Sequence, residues 1–231
     1  MTTSDPLART PTLELTALAW MEGGAVMHER LWPGELVIID AEVQEQEAAL
    51  VDTLFGLCPP LSGSVRFGGH DWQETPAELA AALRGRIGLV PRSGGWLEDL
   101  STMANVLVQA RYHRRTDAMA LLAEAEDLAN RFALPGVPLD PIDRMHPRDR
   151  LRAACVRGFL GAPRLVVVET PAIVWGSLLT PLVRAMHAVR DQGAAVLWFL
   201  TDDALFELPS LPANRRWQLR GQGVVRAGTS A

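Results

Sequence analysis

Apolar residues along this chain recur with two different periods, which predicts alternating strands and helices. Alternating or continuous apolar runs predict strands at 13–19, 35–39, 64–67, 87–90, 165–168 and 194–200. Apolar residues three or four positions apart predict helices at 41–55, 77–83, 101–132, 150–161 and 178–190. Glycines 221 and 223 inside the tail predict a hairpin over 216–226. The order of these elements indicates an α/β fold with a helical insertion in the middle.

The pattern predicts one domain over 13–231, with a helical subdomain at about 101–160. Residues 1–12 are polar and rich in proline and threonine, so we expect a flexible leader there. The runs at 165–168 and 194–200 are almost entirely aliphatic or aromatic, as in strands buried on both faces of a parallel sheet. We therefore expect these two strands at the centre of the fold.

Composition narrows the class of protein. Although 48% of the residues are hydrophobic, no apolar run is long enough to cross a bilayer, which argues against an integral membrane protein. A net charge of −5 argues against a nucleic-acid partner. We expect a cytoplasmic protein whose two cysteines, Cys58 and Cys155, are buried thiols. The sequence contains no lysine, so any mechanism that requires one is excluded.

Two segments carry a resemblance to a known family. Residues 33–40, PGELVIID, resemble the strand that enters a Walker A loop, and residues 50–72, LVDTLFGLCPPLSGSVRFGGHDW, resemble the segment that follows it. Together they are similar to the ATPase subunits of ABC transporters. The resemblance implies a P-loop NTPase-like ABC ATPase fold, with a mostly parallel core sheet, an antiparallel β part and a helical insertion. It also implies a membrane permease as partner.

The segment between these anchors departs from the family's GxxxxGK[ST] loop. A phosphate cradle needs glycines for inward-turned N–H groups, a lysine and a hydroxyl. Here Glu47 stands at the lysine position, and the acidic residues would repel a triphosphate. The residues of this segment have high helix propensity, so we expect a helix that begins early and fills the nucleotide space. The positions concerned are Ala41, Glu42, Glu45, Gln46, Glu47, Ala48 and Ala49.

The other family motifs are altered as well. Arg92 takes the place of the Q-loop glutamine, and Asp202 that of the switch histidine. Glu169 and Thr170 take the places of the Mg²⁺-directing aspartate and the catalytic glutamate, and threonine is no general base. The signature motif is replaced by Met145, His146, Pro147, Arg148 and Asp149.

These departures predict a non-hydrolysing subunit with a structural or regulatory role in an ABC-type transport complex, and not an enzyme. No cofactor is expected. The acids Glu169, Asp202 and Asp203 are expected to be solvated or paired with arginine rather than to hold a metal ion. Two alternatives stay open: nucleotide binding and hydrolysis through substitute residues such as Glu169, and a soluble binding protein detached from transport.

The expected partners are an integral-membrane permease and further ABC ATPase or MCE-type subunits, on the inner face of the cell membrane. Arg92, Trp96 and Leu97 are the candidate interface residues, with Trp96 as an exposed aromatic anchor. The motif SGGWL at 93–97 is similar to the Mla/MCE lipid-transport branch, which implies a lipid substrate.

Overall fold

The computed structural model describes residues 10–23, 26–41, 44–93, 95–113, 117–169, 177–200, 211, 213–220 and 223–227. In chain order the strands are β1 (Leu13–Ala19), β2 (Met27–Leu31), β3 (Leu36–Ala41), β4 (Ser62–Phe67), β5 (His70–Asp71), β6 (Ile87–Val90), β7 (Leu165–Glu169), β8 (Ala195–Leu200), β9 (Arg215–Arg220) and β10 (Gly223–Ala227). The helices are α1 (Gln44–Leu54), α2 (Ala77–Arg84), α3 (Thr102–His113), α4 (Ala118–Arg131), α5 (Pro147–Phe159) and α6 (Leu179–Asp191).

The strands form two sheets. An antiparallel sheet has the order β2-β1-β4-β5, and a second sheet has the order β10-β9-β3-β8-β7-β6. In the second sheet, β9, β3, β8, β7 and β6 run parallel, and β10 closes the edge as an antiparallel hairpin with β9. The predicted α/β class with a parallel core sheet, an antiparallel part and a helical insertion is confirmed.

The parallel sheet separates two hydrophobic cores, because successive side chains of a strand point to opposite faces. In β8, Val196, Trp198 and Leu200 pack toward α3–α6, whereas Ala195, Leu197 and Phe199 pack toward α1 and the antiparallel sheet. All six residues are buried. Coverage on both faces explains why the central strands lack a polar side.

Several expectations from the sequence need correction. The helix expected over 101–132 is two helices, and α4 begins where the Asp117 carboxylate accepts a hydrogen bond from the Met119 N–H. Thr12, which was expected to belong to the flexible leader, is buried and donates its N–H to the Leu31 carbonyl oxygen. Cys155 is buried as expected, but Cys58 is exposed. Strand β2 was not predicted, because its sequence MHERL carries two charges and a histidine.

Within the described parts of the chain, no helix has the length and apolar character of a membrane span.

Candidate functional site

The candidate site lies where three parallel strands end and α1 begins. Strands β3 and β7 end at Ala41 and Glu169, and β6 ends two residues before Arg92. Ligands of open α/β sheets bind in the crevice at the carboxyl ends of the strands. The side chains of Glu47, Arg92 and Glu169 meet in this region.

An ion pair joins α1 to the loop after β6. Glu47 lies in the first turn of α1, and its side chain points inward, leaving the residue 1% exposed. Nη2 of Arg92 donates to Oε2 of Glu47, and the Arg92 side chain is 16% exposed. Oε1 of Glu47 is buried and has no hydrogen-bond partner among the described residues. The negative charge at this position is thus neutralised by an arginine 45 residues away in sequence.

Glu169 completes the group from the end of β7. One of its carboxylate oxygens, Oε2, accepts a hydrogen bond of 3.2 Å from the backbone N–H of Arg92. Burial raises the pKa of the Glu169 carboxyl above its ordinary value. The Arg92 N–H opposes this shift, while the neighbouring Glu47 charge adds to it. A half-buried carboxyl with a raised pKa has the character of a proton acceptor.

The segment aligned with the phosphate loop is strand and helix where it is described. The expected helix over 41–55 is wrong at its start, because Ala41 is the last residue of β3 and pairs with Leu219. The helix itself is present and begins at Gln44. Glu45 and Ala48 are exposed, Gln46 and Ala49 are half-buried, and Glu47 alone of these faces the interior. Glu42 lies outside the described residues.

Sequence reasoning missed Trp20, which lies beside the first turn of α1. Its indole N–H donates to the Gln46 carbonyl oxygen at 3.2 Å, and its ring packs against the core beneath the antiparallel sheet. The signal available in the sequence was a single aromatic residue immediately after a predicted strand. Nothing local connects that residue to a helix 26 positions later.

The replaced signature segment leads into α5. We expected the helix at 150, but it begins at Pro147, so the helix N-terminus is present in the fold. His146 is its N-cap, and Nδ1 of the imidazole accepts the Arg148 N–H at 3.2 Å. Asp149 forms an ion pair of 2.9 Å with Arg152. Two first-turn positions are therefore unavailable to a ligand, since proline has no N–H and the Arg148 N–H is already bonded.

The predicted interface residues follow Arg92 closely. Trp96 is half-buried rather than exposed, because it packs against the helical core and the guanidinium of Arg157 lies 4.3 Å from its ring centroid. Leu97 is 54% exposed. Buried Asn105 fixes the loop by accepting the Leu97 N–H and donating to its carbonyl oxygen. Leu97 is thus the apolar side chain that this loop presents outward.

Two positions predicted to belong to the site, Thr170 and Asp202, lie outside the described residues, as does Asp203. Within the described part of the chain, no group of three or more metal-ligating side chains comes together. Glu169 is brought to the site, and no local pattern in the sequence indicates that Glu47 and Arg92 would be among its charged neighbours.

Comparison with known proteins identifies relatives over nearly the whole chain. The chain is 31% identical over 241 residues to a putative ABC transporter ATP-binding protein of Streptomyces avermitilis, covering 98% of this chain and 39% of the relative. It is 27% identical to the macrolide export ATP-binding/permease protein MacB of Sodalis glossinidius, covering 84% of this chain and 31% of the relative. The chain therefore spans less than half the length of these curated relatives. No family model matches.

Solved structures show the same fold. An ATP-binding subunit of an ABC transporter superposes with a TM-score of 0.79 at 16% identity, covering 93% of this chain and 90% of that one. A dimeric bacterial ABC transporter cassette superposes with a TM-score of 0.77 at 14% identity, covering 90% of this chain and 94% of that one.

These findings contradict the expectation that the chain is not an enzyme. The relatives and structural neighbours are ATP-binding proteins and cassettes of ABC transporters. The altered motifs alone are therefore an insufficient basis for calling it a pseudoenzyme. The similarity to the Mla/MCE branch has no counterpart among the matches described above.

Proposed function

The chain belongs to the ATP-binding domain family of ABC transporters, and from that premise we propose that it is the ATPase-type subunit of a membrane transport complex that engages nucleotide through non-standard residues. The relative that is 31% identical is much longer than this chain, which covers 39% of it. The activity, substrate and partners of the whole assembly are therefore part of this proposal.

The observation that carries the proposal is the meeting of Arg92 with the first turn of α1. A nucleotide site needs a cation for the phosphates, and this chain has no lysine to supply one. Arg92 brings a guanidinium to the start of a helix, where the helix dipole also favours an anion. Guanidinium groups bind phosphate oxygens in bidentate geometry, so Arg92 is the residue we assign to phosphate contact.

Glu169 is the residue we assign to activation of the attacking water. It ends the buried strand β7 beside Arg92, and burial raises the pKa of its carboxyl. A raised pKa makes a carboxylate a better proton acceptor near neutral pH. The proton of the water would pass to the Glu169 carboxylate as the water oxygen bonds to the terminal phosphorus, while the bond from that phosphorus to the bridging oxygen breaks and ADP leaves. Arg92 would stabilise the charge that develops on the transferred phosphate.

The proposed partner is an integral-membrane permease, with the subunit bound peripherally on the cytoplasmic side of the cell membrane. The docking face is the loop of Trp96 and Leu97, which Arg157 and Asn105 hold in place. Further ABC ATPase subunits in the complex are a proposal that rests on the family resemblance. MCE-type subunits and a lipid as the transported substrate are proposals that rest on the motif at 93–97.

The test is calorimetric titration of the purified complex with Mg-ATP, together with steady-state ATP turnover. We expect Arg92→Gln to weaken binding by about tenfold or more, because a charge-assisted contact to phosphate is lost. We expect Glu169→Gln to retain binding and to lower turnover by about a hundredfold or more. Arg131→Gln is the matched control, since Arg131 is an exposed arginine on α4 paired only across one helical turn to Asp127 among the described residues.

Unchanged affinity in Arg92→Gln would refute the assignment of the cation. Undiminished turnover in Glu169→Gln would refute the assignment of the base. Thermal melting of each variant separates these results from misfolding.

A further inference from the structure

We propose that Glu47 is a built-in competitor for the anion site: its carboxylate occupies Arg92, and phosphate binds only when this ion pair opens. The inference concerns regulation of the same site and rests on the proposed function. It follows from the position of the ion pair, from the carboxylate oxygen of Glu47 that lacks a hydrogen bond, and from the similar way in which carboxylate and phosphate oxygens bind a guanidinium group.

The pair lies directly at the proposed phosphate position. Glu47 is in the first turn of α1, where the helix dipole stabilises a negative charge. Arg92 reaches it from the end of β6, and the Glu47 side chain is 2% exposed. A phosphate placed at this helix terminus would therefore meet a carboxylate that already occupies both the dipole and the guanidinium.

The pair is not satisfied as a purely structural ion pair would be. Oε1 of Glu47 is buried without a hydrogen-bond partner among the described residues, and the nearby Glu169 adds a second acid. Burying a charged pair costs desolvation energy that only complete hydrogen bonding offsets. An orphaned carboxylate oxygen adds a further penalty. The closed pair is consequently less stable than a buried ion pair whose oxygens are all hydrogen-bonded.

Carboxylate and phosphate oxygens are interchangeable acceptors for a guanidinium group. Arginine binds either in the same forked geometry, so a phosphate can take over the Arg92 contact that Glu47 gives up. The Glu47 charge must move away at the same time, because two anions at one buried position repel each other. The apparent affinity for phosphate is then the affinity of the open form multiplied by the fraction of molecules in which the pair is open.

The experiment measures binding of inorganic pyrophosphate and of Mg-ATP to the wild-type chain and to Glu47→Gln. Glutamine keeps the size of the side chain and removes its charge. We expect pyrophosphate to bind about tenfold more tightly or better, a change of about 1.4 kcal/mol. Glu45→Gln is the matched control, since it removes the same charge from the same helical turn at an exposed position. Its expected effect is less than about threefold, as for an exposed charge.

The double variant Glu47→Gln/Arg92→Gln tests the route. If Glu47 acts by occupying Arg92, the gain in pyrophosphate affinity disappears when Arg92 is also replaced. Glu47→Met, which also removes the charge at similar volume, carries the test if the glutamine variant fails to fold in a melting experiment.

The proposal is overturned if Glu47→Gln binds pyrophosphate no more tightly than the wild type, if Glu45→Gln gains equally, or if the gain persists without Arg92. These outcomes are separate from those of the proposed function. If the wild type and Glu47→Gln bind Mg-ATP measurably and with equal affinity, the role of Glu47 as a competitor is refuted and the proposed ATPase function is not. Binding that appears only in Glu47→Gln would support the competitor and refute ATP binding by the native chain.

Discussion

Replacement of Gly88 by alanine tests a close approach between the parallel sheet and helix α5 behind the site. Gly88 lies in β6 and faces Gly158 in α5. A Cβ on Gly88 would lie 1.8 Å from the carbonyl oxygen of Gly158, and a Cβ on Gly158 would lie 2.6 Å from Cγ2 of Val90. The first obstacle is a backbone atom, and a Cβ on Gly158 would also lie 2.9 Å from the backbone carbonyl oxygen of Leu89, so turning a side chain cannot relieve either contact.

The magnitude follows from the distance. Strand and helix must separate by roughly 1.5 Å before the new methyl group reaches ordinary contact. Overpacking of this kind costs about 3 kcal/mol. For a domain of this size, each kcal/mol lowers Tm by about 3 °C, which gives a fall of about 9 °C for Gly88→Ala.

Thermal denaturation followed by circular dichroism measures this fall. Gly193→Ala is the matched control, because Gly193 has a φ of +90° but nothing within 4 Å of an added Cβ. That variant should lose only the cost of a left-handed backbone, about 1 kcal/mol, and about 3 °C in Tm. If the two variants melt at the same temperature, β6 and α5 are not packed as closely as described, and the reasoning is refuted.

Three further predictions concern single side chains. Burial raises the pKa of Glu169 in the folded state, so the stabilising contribution of its protonated form is present below pH 4.5, the ordinary value, and is lost as the pH rises through the raised pKa. The Tm of Glu169→Gln should therefore increase relative to the Tm of the wild type as the pH is raised from 4.5 to 8. A difference in Tm that stays constant with pH would contradict the raised pKa. A thiol reagent should label exposed Cys58 in the native protein and Cys155 only after unfolding, because burial raises the pKa of Cys155 to about 12; rapid native labelling of both would contradict this. Leu97→Asp should lower co-purification of the permease at least about tenfold while exposed Met119→Asp leaves it unchanged, and equal losses would argue against the Leu97 loop as docking face.

Most elements could be predicted because their signals are local. The strand at 87–90 was predicted with its exact bounds, and that at 165–168 was short by one residue, because a continuous aliphatic run between turn residues has few other stable conformations. The tail hairpin followed from its glycines, and β9 and β10 pair as antiparallel strands. Strand β2 was not predicted because Glu29 interrupts its apolar alternation. In the structure Glu29 is buried and pairs with Arg215, which lies 186 residues away in sequence.

The candidate site was predicted only in part, since the sequence located its residues without their contacts. Glu47, Arg92 and Glu169 were each singled out by position in the resemblance, but as separate losses of a motif. Their meeting depends on the strand order β3-β8-β7-β6, which sets the ends of distant segments side by side. The inference that the chain is not an enzyme is contradicted by its relatives, and it rested on residue types compared position by position.

The sequence by itself determined the α/β class, the buried central strands and the absence of any lysine, because periodicity and composition are properties of the chain alone. Only the tertiary structure decided that Arg92 neutralises Glu47, that Trp96 is covered by Arg157 while Leu97 is exposed, and that Gly88 must lack a side chain. Each of these contacts joins residues far apart in sequence. Their energies depend on distances of a few ångströms that arise only when sheet and helices have packed.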